Sequence, residues 1–443
     1  MTLRSKLATG VGRLTRWALT TFTSGGSSLP GKLALALDPN LLAELAKNYD
    51  VVIITGTNGK TLTTALTVHA LAQSYDHILT NPTGSNMKQG IVSTFLSAPA
   101  LPKGQRGVAV LEVDEGSLKH VVKALAPKAF VHTNVFRDQM DRYGEIYTIY
   151  KLMADAAKQV PEATVIANGD SPLFNSVALP NPRVYFGFDH EEDHEVTPHY
   201  NTDGILCPEC QHILCYHSNT YANLGKYYCP HCGFKRPDLS YRVTALEELA
   251  LTHSRFAIEG HEYAIPVAGL YNIYNALAAY ALGRFLGVSQ AQIKDAFESD
   301  ERVFGRQEVI NVDGKEVTLI LVGLNQVLDM IETDPQPFSF AFLLNANYAD
   351  GIDTSWIWDG NFEKLVQHNI PQYMTGGERY KDITTRLTMA GVDSMWHEPD
   401  LTHVIAKIKG MPTKHVYILA TYTAVLQLRK QLAEKGYIKG GMD

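Results

Sequence analysis

Val51-Val52-Ile53-Ile54-Thr55-Gly56-Thr57-Asn58-Gly59-Lys60-Thr61 is a β-branched run that empties into two glycines, a lysine and a threonine. Leu62, Leu66, Ala70 and Leu71 then recur at helical spacing. A buried strand, a glycine-rich loop and a helix N-terminus in that order form an anion cradle. Loop N–H groups and the helix dipole face a phosphate, Lys60 neutralises it, and the Thr61 hydroxyl is placed to reach Mg²⁺. Gly56, Thr57, Asn58, Gly59, Lys60 and Thr61 are therefore the candidate nucleotide-binding residues. Ile54 stands where the longer form of this loop has glycine, so the match is to the shorter Gly-x-x-Gly-Lys-Thr variant. An ordinary turn is the competing reading, and the strand and helix on either side argue against it.

Downstream, Gly107-Val-Ala-Val-Leu-Glu112-Val-Asp-Glu115 is a second apolar strand, here ending in carboxylates. Acids at the carboxyl end of a parallel strand beside a phosphate loop are positioned to hold Mg²⁺. Glu112 is the first candidate, with Asp114 and Glu115 as alternatives. A third strand, Ala129-Phe130-Val131, leads into His132-Thr133-Asn134-Val-Phe-Arg-Asp138-Gln139-Met-Asp141-Arg142-Tyr143. Strands that alternate with helical stretches predict an α/β fold.

All five cysteines fall between residues 207 and 232. Cys207-Pro-Glu-Cys210 and Cys229-Pro-His-Cys232 are two Cys-x-x-Cys knuckles with 18 residues between them, the spacing of a zinc ribbon. Four thiolates close a tetrahedron and leave no place for water, so Zn²⁺ at Cys207, Cys210, Cys229 and Cys232 is expected to be structural. Cys215 is the spare thiol, and His212, His217 and His231 are the substitute ligands.

The chain has 443 residues, 45% of them apolar and 19% charged, enough to bury more than one core and too apolar for a disordered protein. Its net charge of −7 and the lack of a basic, aromatic groove argue against nucleic acid as a partner. No run of apolar residues is long enough to cross a bilayer, and no apolar export segment follows Arg4, Lys6, Arg13 and Arg16. A cytoplasmic location is expected, with the inner face of the plasma membrane as a further option. Leu3, Leu7, Val11, Leu14 and Leu19 lie near helical spacing, which predicts a basic amphipathic helix over residues 3–21. It either packs on its own protein or makes peripheral contact with an anionic membrane face.

The phosphate loop, Glu112 after its strand, and Thr-Asn-Val-x-x-Asp-x-Met-Asp together resemble the Mur ligase superfamily, which includes peptidoglycan amide ligases and folylpolyglutamate synthase. The resemblance continues through Gly269-Leu-Tyr-Asn272-Ile-Tyr-Asn275 and Gly305-Arg306-Gln307-Glu308. It implies that Asn272 meets adenine and that Arg306 contacts nucleotide phosphate, with ATP and Mg²⁺ as cofactors. Gln139 replaces a metal-binding histidine of the family, which puts a second Mg²⁺ in doubt, and Tyr271 replaces the histidine that precedes the adenine-contacting Asn272. Lys151 falls near the family's carbamylated lysine; a plain surface lysine is the competing reading. The implied architecture is an N-terminal segment (1–47), a central P-loop ATPase domain (48–308) with the zinc ribbon inserted at about 200–240, and a Rossmann-like C-terminal domain (309–443).

Leu321-Val-Gly-Leu-Asn325 and the strand Phe340-Ala-Phe-Leu-Leu344 that runs into Asn345-Ala-Asn-Tyr-Ala-Asp350-Gly-Ile-Asp353 depart from the amino-acid-adding members. With the ribbon and Ser27-Ser-Leu-Pro-Gly31, they are similar to the family's branch of amidating ligase subunits. That branch phosphorylates the D-glutamate α-carboxylate of the lipid II stem peptide. It then uses ammonia from a separate GatD-type glutaminase, in a heterodimer, to make D-isoglutamine. The short stretch before the phosphate loop, too short for a UDP-binding domain, fits a lipid-linked substrate. Asp350, with Asp353 and Asp359 as alternatives, is the candidate acid for the partner's Cys–His pair, following triad logic; an Asp-Gly turn is the bland reading. An amino-acid-adding ligase and a zinc-ribbon NTPase of another assembly are the alternative functions.

Overall fold

The structure, a computed structural model, describes residues 1–22, 28–81, 85–136, 146–190, 206–221, 223–250, 253–299, 307–321, 324–332, 334, 336–347 and 350–438. Three helices open the chain: α1 Leu3–Phe22, α2 Leu29–Leu37 and α3 Leu41–Ala46. Strand β1 (Tyr49–Thr55) is followed by α4 (Lys60–Ala72), β2 (Ile78–Thr80), α5 (Lys88–Ser97), β3 (Gly107–Glu112) and β4 (Ala129–His132). β5 (Thr164–Asn168), β6 (Arg183–Phe188), β9 (Tyr241–Leu249), β10 (Ser254–Ile258) and β11 (His261–Ile265) complete a nine-stranded sheet in the order β11-β10-β9-β6-β5-β4-β1-β3-β2. Every pairing from β9 to β2 is parallel, and β10 and β11 add an antiparallel edge.

Parallel strands are covered on both faces, which is why β1 and β3 read as unbroken apolar runs. Val51, Ile53, Ala109, Leu111 and Phe130 point into one core, shared with α2, α3 and α5. Val52, Ile54, Val108, Val110 and Val131 point into the other, shared with α4 and the helix Leu270–Phe285.

Between β6 and β9 the chain forms a two-stranded ribbon, β7 (Cys215–Tyr221) with β8 (Leu224–Tyr228). β6 and β9 are parallel neighbours, Phe186 opposite Tyr241, so the ribbon lies on the path that carries the chain from one end of the sheet back to the other. Asp170 ties it down. This carboxylate is fully buried, takes Arg236 Nη1 at 2.9 Å, the Phe188 N–H at 2.7 Å and the Tyr274 hydroxyl at 2.8 Å, and its backbone carbonyl accepts from Gly225. Burial opposes the charge of Arg236, but Asp170 outweighs it and holds the guanidinium pKa above its ordinary value.

A second sheet runs β12-β13-β17-β14-β15-β16, from β12 (Gln307–Val312), β13 (Lys315–Leu321), β14 (Phe338–Leu343), β15 (Tyr373–Gly376), β16 (Trp396–Glu398) and β17 (His415–Ala420). Apart from the antiparallel β12–β13 pair its strands are parallel, the arrangement expected of a Rossmann-like unit. Phe338, Phe340 and Phe342 fill one face, and Ala341 and Leu343 the other.

The N-terminal helix exists over Leu3–Phe22, but it packs differently from the expectation set by its apolar stripe. Ser5, Ala8 and Gly12 are the buried positions, and Leu3, Leu7 and Leu14 face outward. Small residues win the contact because α2 and α5 come close: a Cβ on Gly12 would lie 2.5 Å from Leu96 and 3.2 Å from Ala34.

Candidate functional site

The loop that follows β1 is held open by two glycines at positive φ, Gly56 at 137° and Gly59 at 81°. Gly56 passes against Thr133 and Asn134, where a Cβ would come within 2.3 Å of the Thr133 hydroxyl. Gly59 abuts Asn275 of the Leu270–Phe285 helix. Asn58 is clamped from below: its N–H donates to Asn134 Oδ1 at 2.9 Å, and its carbonyl accepts from Asn134 Nδ2 and the Thr133 hydroxyl, both at 2.9 Å. Thr57 N–H donates to the Asn134 carbonyl at 2.9 Å. α4 begins at Lys60, so its first N–H groups have no acceptor further back in the helix and are available to an anion.

Lys60 Nζ donates to the Gly56 carbonyl, to the Thr57 carbonyl at 3.3 Å and to Glu115 Oε1 at 3.2 Å. Burial works against its charge, but the carboxylates of Glu115 and Glu112 outweigh this and raise its pKa, keeping it a cation. Glu115 also accepts the Gly56 N–H at 3.1 Å. Glu112 has a different partner: its Oε2 accepts the Thr61 hydroxyl at 2.9 Å. Asn81 brackets the Glu112 peptide, accepting its N–H and donating to its carbonyl at 2.9 Å each. The three acids of this strand end thus divide. Glu112 faces the threonine, Glu115 holds the lysine, and the Asp114 N–H binds the Asn86 carbonyl at 3.1 Å.

Asn272 is buried, donates to the Ala268 carbonyl at 2.7 Å, and accepts from Asn275 at 3.3 Å, so it joins the same wall of the loop. Asp138, Gln139, Asp141 and Arg306 lie outside the described residues. Lys151 is exposed on the helix Ile146–Ala157. His132 is fully buried among Phe130, Tyr150 and Phe174 with no partner for either ring nitrogen, and burial, aided by the charge of Arg183, pushes its pKa down to about 3.

Sequence reasoning passed over Asn81, the pairing of Glu115 with Lys60, and the clamp made by Thr133 and Asn134. Thr133, Asn134 and Asn275 stand inside motifs read from the chain, so the Thr133 hydroxyl and the two asparagine amides were the available signal; Asn81 carried none.

In the ribbon, the sulfurs of Cys207, Cys210, Cys229 and Cys232 all lie within 4.8 Å of one another, and Cys215 stands apart from them. Cys207 is 3.5 Å from Cys232 and Cys210 3.5 Å from Cys229, with every cysteine a free thiol. The two knuckles repeat one another. Cys207 N–H donates to the His212 carbonyl and Gln211 N–H returns to the Cys207 carbonyl; Cys229 does the same with Phe234 and Gly233. Gln211 and Gly233 take matching positive φ values of 62° and 78°. Cys210, His212 and His231 form a second grouping of donor atoms, with the two imidazoles stacked at 3.7 Å. A four-sulfur cage of this size fits one tetrahedral metal ion.

After β14, Asp350 turns inward rather than outward. One oxygen accepts the Thr423 N–H at 2.7 Å; the other accepts the Thr423 hydroxyl and the Asn347 N–H. It thereby caps the N-terminus of the helix Tyr422–Glu434. Gly351, at φ 88°, makes the turn. Asp353 binds Ser355 at the start of a short 3₁₀ helix, and the Asp359 carbonyl accepts from Asn325. Trp356 packs against the core, whereas Trp358 is exposed, so the two tryptophans do not share one interior.

Two family descriptions match the chain: the Mur ligase middle domain over residues 54–212 and the MurT ligase C-terminal domain over 322–425. The lipid II isoglutaminyl synthase (glutamine-hydrolyzing) subunit MurT of Streptococcus pneumoniae is 51% identical and covers 100% of both chains. Its counterpart in Staphylococcus aureus is 33% identical over 97% of this chain and 98% of its own. Among solved structures, a pseudomurein peptide ligase type C from Methanothermus fervidus aligns with TM-score 0.67 at 19% identity, over 91% of this chain and 84% of that one. MurF ligase from Thermotoga maritima in complex with ADP aligns with TM-score 0.61 at 14% identity, over 91% and 85%. These structural likenesses concern the fold alone.

Proposed function

The chain belongs to the MurT family of Mur ligases, and we propose that it is the ligase subunit that amidates the D-glutamate α-carboxylate of the lipid II stem peptide. The observation that carries the reading is the Thr61–Glu112 contact at the mouth of a phosphate loop, in a chain similar over its full length to MurT.

A carboxylate is a poor electrophile, so one of its oxygens first attacks the γ-phosphorus of ATP and ADP departs, leaving an acyl phosphate. Ammonia then attacks the carbonyl carbon, phosphate leaves with the C–O bond pair, and the nitrogen loses a proton to give the amide. The chain's part is positioning and charge neutralisation. Gly56, Thr57, Asn58 and Gly59 present backbone to the phosphates, Lys60 supplies the positive charge, and Asn272 and Arg306 are assigned to adenine and phosphate. Glu112 and Thr61 are the residues that would hold Mg²⁺, which screens the charge of the transferred phosphoryl group. Glu115 keeps Lys60 aimed across the loop. Cys207, Cys210, Cys229 and Cys232 are assigned to a structural Zn²⁺.

Ammonia is mostly protonated at neutral pH, and the ribbon claims four of the five thiols of the chain, so a separate glutaminase of the GatD type is the assigned source. Asp350 is assigned to orient that partner's catalytic histidine. A carboxylate offers about four lone-pair sites, and three are used here, which leaves one for an imidazole N–H. Ile352, two residues further on, and Trp358 in the following 3₁₀ helix are exposed, in keeping with a docking surface.

The test is an ATP-hydrolysis and product assay with lipid II plus ammonium, with a folate plus glutamate, and with nucleic acid. Amidated lipid II from the first mixture alone supports the reading; turnover only in either of the others overturns it.

A further inference from the structure

The two helices that open the chain carry a surface that the catalytic reading leaves unused. On α1, Leu3, Leu7, Leu14 and Trp17 are 86%, 61%, 64% and 58% exposed. At 100° per residue these positions fall within about a quarter turn of one another, a single stripe along a helix roughly 30 Å long. Leu29, Leu33 and Leu37 on the adjacent α2 are also exposed at every fourth position. The stripe has not been left outside for want of packing: the opposite face of α1 is anchored. There the Ser5 hydroxyl donates to Asp38 at 2.7 Å and Gly12 lies tight on Leu96 and Ala34, while at the flank of the helix Arg13 Nε donates to the Leu96 carbonyl at 3.2 Å.

Charge separates along the chain in the same place. Residues 1–37 contain Arg4, Lys6, Arg13, Arg16 and Lys32 and no acidic residue. The rest of the chain carries 34 basic against 46 acidic residues. Arg4 borders one side of the apolar stripe, and Lys6 and Arg13 border the other. A basic-edged apolar stripe with a tryptophan, on a helix fixed to the body by small residues, is the form of an in-plane interfacial helix. No helix among the described residues is long and apolar enough to cross a membrane.

We infer that α1 and α2 form a docking face for an anionic phospholipid bilayer, with the α1 stripe sunk into the headgroup boundary and the basic residues on its lipid phosphates. The acidic remainder of the surface is repelled by such a bilayer, so the charge segregation also sets which way the body faces. The inference deepens the lipid II reading by naming the surface that would bring the ligase to its substrate. Its test uses neither substrate nor partner, so the two stand or fall separately.

The experiment is sedimentation of the full chain with phosphatidylcholine vesicles, with and without phosphatidylglycerol, across a salt series. Binding is expected only with phosphatidylglycerol, to weaken as salt rises, and to fall more than about tenfold in Leu7→Glu/Leu14→Glu. Arg4→Glu/Lys6→Glu should weaken it to a similar degree. The emission of Trp17 should shift to the blue on binding, and the shift should be absent in Trp17→Phe, which removes one of four tryptophans. Thermal melts identify any variant that fails to fold, and Trp17→Phe, at an exposed site, then serves as the second reporter. The inference is overturned by no vesicle binding, by equal binding to neutral vesicles, or by unaltered binding of the Leu7/Leu14 variant. Loss of a dimer in that variant without vesicle binding would make the stripe a self-association face and overturn it equally.

Discussion

Gly59 and Asn275 lie so close that a Cβ on residue 59 would be 1.9 Å from Asn275 Oδ1. The phosphate loop is therefore seated against the Leu270–Phe285 helix by a residue that cannot have a side chain. Gly59→Ala meets both this contact and a φ of 81°, which alone costs an L-residue about 1–2 kcal/mol. ATP affinity should drop sharply in the variant while the second sheet stays folded. Gly59→Ala/Asn275→Ala should regain melting temperature without regaining wild-type ATP binding, measured by calorimetry; equal recovery of both would make the contact merely steric.

Lys60→Ala should lower ATP-dependent amidation by about a hundredfold or more, because it removes the cation that Glu115 and the loop carbonyls aim. Glu112→Ala should raise the Mg²⁺ concentration needed for half-maximal rate, whereas Glu115→Gln should leave that requirement near wild type. Magnesium titrations of the three variants are the check. Unchanged Mg²⁺ dependence in Glu112→Ala would move the role to Asp114 or Glu115.

Purified protein should hold about one zinc per chain. Cys207→Ser or Cys232→Ser should lower stability more than it lowers rate per folded molecule. Asp170→Ala, which removes the buried partner of Arg236 and leaves it only the more exposed Asp189 at 3.1 Å, should cost about 3 kcal/mol with zinc content intact. Metal analysis beside denaturant melts separates the two effects; a rate that follows added zinc in folded protein would contradict a structural site.

His132 ties stability to pH. Its folded pKa, about 3, lies below the ordinary value of 6.5, so between these values the unfolded chain binds the extra proton. Stability is complete above pH 6.5 and is lost as pH falls toward 3. His132→Phe should remove this loss, giving a variant about 2 kcal/mol less sensitive than wild type between pH 7 and 5. Urea melts at the two pH values decide; parallel slopes in both proteins would exclude His132 as the source.

Asp350→Asn should cut glutamine-dependent amidation strongly and spare the reaction driven by free ammonium. Because Asp350 also caps the final helix, a melt must accompany the assay: the substitution should cost about 1 kcal/mol. Equal loss with glutamine and with ammonium would place the carboxylate in the ligase site instead.

What the sequence made legible follows from range. β1, the glycine loop and α4 are contiguous, so their periodicities and turn residues speak for themselves, and the two cysteine knuckles each close within a few residues. The pairing of Lys60 with Glu115 spans 55 residues, and that of Asp350 with Thr423 spans 73, so no local pattern announces either. For α1 the apolar stripe gave the element but not the face that packs on the body. Close approach to α2 and α5 favoured Gly12 and Ala8 over leucine, a choice made by neighbours that the stripe itself does not record.

The ribbon occupies the return path between two parallel strands, a connection that in most sheets is a helix of a dozen or more residues. A zinc requirement set by the four cysteines would on this view be a trait of the connection, separate from the Mg²⁺ of the chemistry, and the two are separable over evolutionary time. A lineage could trade the cysteines for a helical crossover and keep the reaction, on one condition. The replacement must still deliver a cation to Asp170, since that carboxylate also holds Tyr274 on the helix that backs the phosphate loop.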